Sequence, residues 1–139
     1  MVNDVARAFF EAPAIRNVCV EIPKEEKTES DVRHDKVGHL RTSLYGTRDA
    51  AANFQEEVRK VLTEAGFRQS RYSPSLYYHE GKGLRTLVHG DDFISSGTRE
   101  SCQWLKEMLE QRFEIKTKVI GHEPGESREE RGLNRVIRA

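Results

Sequence analysis

The sequence predicts an α+β domain, an antiparallel sheet with helices packed on one face. Three observations lead there. Segments with apolar residues at helical spacing are interspersed with short runs at strand spacing. Their order is strand, helix, hairpin, helix, strand. The two central extended runs are joined by a short turn, EGKG (Glu80 to Gly83), which pairs them antiparallel. A hairpin at the centre of the sheet favours antiparallel pairing throughout, with helices covering one face.

The opening, VNDVARAFF, has no lead-in to an element. Asn17 to Ile22 (NVCVEI) alternates Val18, Val20 and Ile22 against Cys19 and Glu21, as a half-buried strand does. Pro23 to Lys36 is charged and aperiodic, and reads as a solvated loop. Thr47 to Ala65 predicts the clearest helix. Ala51, Phe54, Val58, Val61, Leu62 and Ala65 recur at spacings of three and four, and Gly66 sits where a left-handed residue ends a helix.

Ser75 to His79 and Leu84 to His89 are the hairpin strands, and Phe93 to Ser95 resumes an extended chain after the GDD step. Thr98 caps a second helix, with Glu100 favourable for its dipole. The apolar face is Trp104, Leu105, Met108, Leu109 and Phe113. Phe113 to Ile120 alternates as a final strand. In the charged end, Ser127 and Glu130 match a capping box, predicting a short helix with Leu133, Val136 and Ile137 on one face. The expected organisation is one domain over residues 1–120 and a charged segment over 121–139.

Composition sets limits. Of 139 residues, 36% are hydrophobic and 33% charged, so the core is expected to be thin. The 23 basic and 23 acidic residues cancel, so any nucleic-acid or membrane site must come from local arrangement. Cys19 and Cys102 lack CxxC spacing, which argues against zinc or a disulfide framework and leaves both as small core residues. No apolar run approaches the ~20 residues that span a bilayer, and no secretory leader is visible. An intracellular location without membrane contact is expected.

The chemistry concentrates in LVHGDDFIS, Leu87 to Ser95. Asp91 and Asp92 are adjacent carboxylates between apolar residues, with Gly90 freeing the backbone to turn. Taken alone, Asp-Asp in a hairpin turn also fits a solvated turn. Asp4 joins the pair if its segment is a neighbouring strand. Converged carboxylates repel unless cations neutralise them, and hard oxygen ligands at a shallow site suit Mg²⁺ with substrate phosphates. Three aspartates by themselves also fit a metal-dependent phosphodiesterase.

Six blocks arrive in an order that resembles copia-type retrotransposon reverse transcriptases. They are DVARAF (Asp4 to Phe9), NVCVEIP, SLYGTRDAAANF (Ser43 to Phe54), GFRQSRYSPSLYYH (Gly66 to His79), HGDDFIS and LKEMLEQRFEIK. The resemblance covers residues 2 to 120, and it implies a truncated, reverse-transcriptase palm-like domain. It implies an RNA-directed DNA polymerase that transfers dNTPs to a primer 3′-hydroxyl using two Mg²⁺ (or Mn²⁺) ions. Asp4 and Asp91 correspond to the carboxylates that bind both ions, Asp92 to the supporting acid, and the Val5 carbonyl to a further ligand. Phe9 falls on the aromatic position that rejects a ribose 2′-hydroxyl. Arg48 and Asp49 fall beside the nucleotide, and Lys116 near the pyrophosphate. His89 and Gly90 fall at the primer end, although His89 reads equally as a structural histidine.

The sequence departs from the family where Gln becomes Asp49, Pro becomes Ala51, Arg becomes Ala52 and Trp becomes Phe54. The family's partners are a primer-template and dNTPs, and its polyprotein adds fingers, thumb and RNase H regions. Asp49 puts a negative charge near an anionic substrate. Together with the expected lack of fingers and thumb, it keeps open a second reading: an inactive retroelement remnant serving as a binding or interaction module. The chain alone is expected not to extend a primer.

Overall fold

The computed structural model describes residues 1–139. Strand β1 (Val2–Val5) opens the chain, and a 3₁₀ turn (Ala8–Glu11) follows. Strands β2 (Cys19–Val20) and β3 (Gly38–His39) pair as a separate ribbon, with α1 (Glu29–Arg33) between them. Then come α2 (Ala50–Glu64), β4 (Arg68–Gln69), β5 (Leu76–His79), β6 (Leu84–His89), β7 (Asp92–Ser96), α3 (Arg99–Arg112) and β8 (Ile115–Lys118). A terminal hairpin is formed by β9 (Glu129–Gly132) and β10 (Arg135–Arg138). The main sheet has six strands in the order β4-β5-β6-β7-β1-β8, every neighbouring pair antiparallel. The fold is α+β, as the sequence predicts.

Cross-strand partners lie on the same face of a sheet, so the register sorts the two faces. One face carries Val5, Phe93, Val88, Leu84 and Tyr77, all buried. These join Phe54, Val58 and Leu62 of α2 and Leu105 and Leu109 of α3 in one apolar cluster. Burying each such side chain stabilises the fold by about 1.5–3 kcal/mol. The buried stripe of α2 is Ala50, Phe54, Val58 and Leu62, a strict spacing of four that leaves Ala51 outside. Gly66 ends that helix at φ +99. Thr98 caps α3, its hydroxyl accepting from the Ser101 N–H at 3.2 Å. Polar residues inside the core are paired across strands, Thr86 with Ser95 at 3.0 Å and Asn3 with Thr117 at 2.8 Å.

Several expectations are corrected. The opening residues, left out of the predicted order of elements, form β1 inside the sheet between β7 and β8, which meets the condition for Asp4 to join the pair. Its run VNDV is too short to show a period, and Asn3 is buried where alternation expects an apolar residue. The segment 23–36 contains a 3₁₀ turn (Lys24–Glu26) and α1. Thr28 and Asp31 form a reciprocal capping box there, at 3.2 and 2.9 Å, but α1 buries no residue and so shows no apolar period.

The expected terminal helix is instead the β9–β10 hairpin. Leu133 and Asn134 both take positive φ, 53° and 58°, which makes the two-residue turn that reverses the chain. The Ser127 N–H donates to the Val119 carbonyl, so Ser127 belongs to a bridge rather than a helix cap. Last, Cys19 is exposed and Cys102 only partly buried. The strand expected over 17–22 shrinks to two residues, although Val18, Val20 and Ile22 are indeed more buried than Cys19 and Glu21.

The hairpin lies against the second, open face of the sheet. Gly132 is so close to Ile94 that an added Cβ would stand 3.2 Å from its Cδ1, and Lys118 pairs with Glu130 at 2.7 Å. No helix is long and apolar enough to cross a membrane.

Phe54→Ala is expected to remove about 3–5 kcal/mol of stability, because its ring fills the junction of α2, the 3₁₀ turn and Phe113. Thr98→Ala is expected to cost about 1 kcal/mol. Urea denaturation of each variant checks both; a Phe54→Ala effect under about 1 kcal/mol contradicts this core.

Candidate metal-binding site

β6 ends at His89 and β7 begins at Asp92, so Gly90 and Asp91 alone make the turn. Gly90 has φ +59 at the first turn position, where a type II′ hairpin turn requires glycine. Nothing lies within 4 Å of its missing Cβ, so the requirement is conformational rather than steric. The Val5 N–H donates to the Asp91 carbonyl at 2.9 Å and ties this turn to β1. In an extended strand the N–H and C=O of one residue point to the same side. The Val5 carbonyl therefore projects toward the same edge.

Register does the rest. Asp4 pairs with Asp92, Asp92 with His89, and Asp4 with Lys116. These four residues form one row across β6, β7, β1 and β8 on the open face. One carboxylate oxygen from each of Asp4, Asp91 and Asp92 lies within 4.8 Å of the others. Asp4 and Asp91 are exposed and Asp92 is half-buried. At that distance two unit charges repel by about 3.5 kcal/mol at an effective dielectric of 20, and by under about 1 kcal/mol in bulk water. Burial holds the Asp92 carboxyl above the ordinary aspartate range, reinforced by the charges of Asp91 and Asp4 and opposed by His89.

Asp4, Val5, His89, Gly90, Asp91, Asp92 and Lys116 are thus brought together by the pairing of four strands. Phe9, Arg48 and Asp49 belong to a second group. Phe9 sits in the 3₁₀ turn after β1, half-buried, with its ring stacked on Tyr45 at 4.4 Å and tilted against Phe54 at 6.3 Å. Arg48 is exposed just before α2, and Asp49 is the residue that precedes its first turn. No hydrogen bond or ion pair joins either to the three acids. Helix α2 opens at Ala50, because the Thr47 hydroxyl donates to the Leu44 carbonyl instead of capping.

Two partners are not visible in the sequence. Arg16 donates to the Asp49 carboxylate at 2.8 Å and holds its pKa below the ordinary range. Nothing in the segment around Arg16 marks it as that partner, since the contact is made by tertiary packing. Tyr45 stacks on Phe9, and its only sequence signal is an aromatic residue within the SLYG block.

The raised Asp92 value has a stability consequence with a definite sign. Between the ordinary aspartate value and the native one, the native chain keeps a proton that the unfolded chain has released. The contribution of Asp92 to stability therefore falls as pH rises through that window. In chelator, Asp92→Asn is expected to remove this fall and to melt above the parent near neutral pH. Melting curves from about pH 4 to 7 check this; a parent and variant with parallel pH dependence contradict it.

The family model described as reverse transcriptase (RNA-dependent DNA polymerase) matches residues 2–122. That span holds every acid of the cluster and the whole six-stranded sheet. With its match over most of the chain, this protein belongs to the reverse transcriptase (RNA-dependent DNA polymerase) family.

Proposed function

We propose that the chain is the palm of a copia-type retrotransposon reverse transcriptase, and that it joins dNTPs to a primer 3′-hydroxyl on a nucleic-acid template. One observation carries this reading: three carboxylates from sequence-distant segments converge within 4.8 Å on an open sheet face. The donor set fits hard divalent cations, since the three side chains offer only oxygen ligands at a shallow, accessible site. Asp4 and Asp91 would hold two Mg²⁺ ions, with Asp92 in support and the Val5 carbonyl as a further ligand. Mn²⁺ suits the same oxygens. When bound, such ions activate the attacking hydroxyl and neutralise the developing phosphate charge.

The chain's own residues supply the positioning. The Gly90 turn, pinned by the Val5 amide, presents Asp91 and leaves open space beside Gly90, next to the exposed His89, for the primer end. Phe9 is held rigid by Tyr45 and Phe54, and a ring that cannot yield suits the rejection of a 2′-hydroxyl. Arg48, exposed before α2, and Lys116, beside Asp4, are cations available to the triphosphate. Asp49 faces Arg16, so its charge is already met within the fold. That ion pair weakens one ground for reading the chain as an inert remnant. Fingers, thumb and RNase H regions belong to the proposed polyprotein context.

The test is primer extension on an RNA template with Mg²⁺, using the chain alone and the chain joined to copia-type fingers and thumb regions. Asp91→Asn is expected to abolish extension, and Phe9→Ala to relax the preference for dNTP over rNTP. A joined protein with Asp91→Asn that extends as well as its parent overturns the catalytic assignment. An inactive parent whose fold is intact favours the interaction-module reading.

A further inference from the structure

The open sheet face carries two more cross-strand rows beside the acidic one. Two residues further along each strand run Leu76, Leu87, Ile94, Val2 and Lys118. Two residues beyond these run Arg68, Tyr78, Arg85 and Ser96. The β9–β10 hairpin lies over Ile94 and engages Lys118, so it covers the β1–β8 half of the face. The β4–β6 half stays open, with Leu76 38% and Tyr78 41% exposed.

The charges of that half are uncompensated. Arg68 and Arg85 are exposed, and no acidic group pairs with either. Arg99, Arg112, Lys118 and Arg138 are by contrast each held by a glutamate. The Arg85 guanidinium lies 5.8 Å from the centroid of the Tyr78 ring, which pre-orients the cation while leaving its N–H donors free. Free guanidinium groups beside an exposed ring and two leucines suit a ligand that is anionic along one edge and flat and apolar on another. A nucleic-acid strand has that chemistry, and arginine with aromatic stacking is a recurrent way to hold one. An acidic peptide would satisfy the arginines and leave the ring without a flat partner.

Spacing sets where on the strand this occurs. Arg85 is four residues from His89 along β6, about 13–14 Å at the rise of a β-strand. For a B-form strand laid with its axis along β6, which rises about 3.4 Å per nucleotide, the two rows stand about four nucleotides apart. We propose that Arg68, Tyr78 and Arg85 form a subsite for the nucleic-acid strand about four nucleotides from the reacting end. The arginines bind phosphates, and Tyr78 packs on a sugar or base. This subsite rests on the polymerase reading above and deepens it.

The test is fluorescence anisotropy of the 139-residue chain with a labelled DNA primer annealed to an RNA template, over a range of salt. The double variant Arg68→Gln/Arg85→Gln is expected to lower the slope of log affinity against log salt by about 0.9 for each phosphate it no longer neutralises. A primer with uncharged methylphosphonates at the fourth and fifth linkages from its 3′ end should bind the parent several-fold more weakly. The double variant should bind both primers alike. Tyr78→Ala should weaken binding with the slope unchanged, and Tyr78→Phe should restore it.

A double variant that keeps the parent's slope and the parent's discrimination between the two primers overturns the subsite, even where Asp91→Asn abolishes extension. If the arginine effects appear while Asp91→Asn leaves extension intact, only the catalytic reading falls. A parent that binds no nucleic acid overturns both.

Discussion

Everything in the proposed site depends on one constraint: like charges are forced together because β1 is inserted between β7 and β8. Asp4 is held opposite Asp92 by a ladder of backbone bonds, and the Asp91 turn is pinned to Val5 by one more. The carboxylates cannot relax apart without opening that ladder. Folding energy from the core cluster therefore maintains an arrangement that is locally unfavourable without cations. Such an arrangement in a family of polymerases is the expected form of a site completed by its ligands.

The two faces of the sheet divide the labour. The helix-covered face is filled by Phe93, Val88 and Leu84 against α2 and α3, with Thr86 bonded to Ser95 and the Asn3 amide nitrogen to Thr117. The second face carries the β9–β10 hairpin over its β1–β8 half, leaves its β4–β6 half in solvent, and sorts its side chains into rows, acidic at the turn end and basic at the far end. Net charge is zero overall, yet the face is strongly polarised along its strands. A strand of nucleic acid laid along it would meet cations first and metal-binding oxygens at the reacting end.

Much of this is legible in the sequence, for physical reasons that differ by element. Helix α3, its Thr98 cap and its Leu105 and Leu109 stripe follow from period and capping chemistry, both local. The hairpin strands follow from alternation around a turn signal. Strand β1 is invisible there, because four residues carry no period and its place in the sheet is decided by partners far along the chain. The terminal hairpin reads as a helix because a capping-box pair is only a local preference, whereas positive φ at Leu133 and Asn134 commits the chain to reverse. At the site, the acids are legible through the spacing of familiar blocks. Arg16 and Tyr45 are not, since each acts on a residue distant in the chain or held only by packing.

The central claim is that Asp4 belongs with Asp91 and Asp92 in one cation site. Titration of Mn²⁺ into the chain, followed by electron paramagnetic resonance, tests this without any need for catalysis. The account predicts binding by the parent that Asp4→Asn weakens as severely as Asp91→Asn does. Parent-like Mn²⁺ binding by a folded Asp4→Asn variant would contradict it.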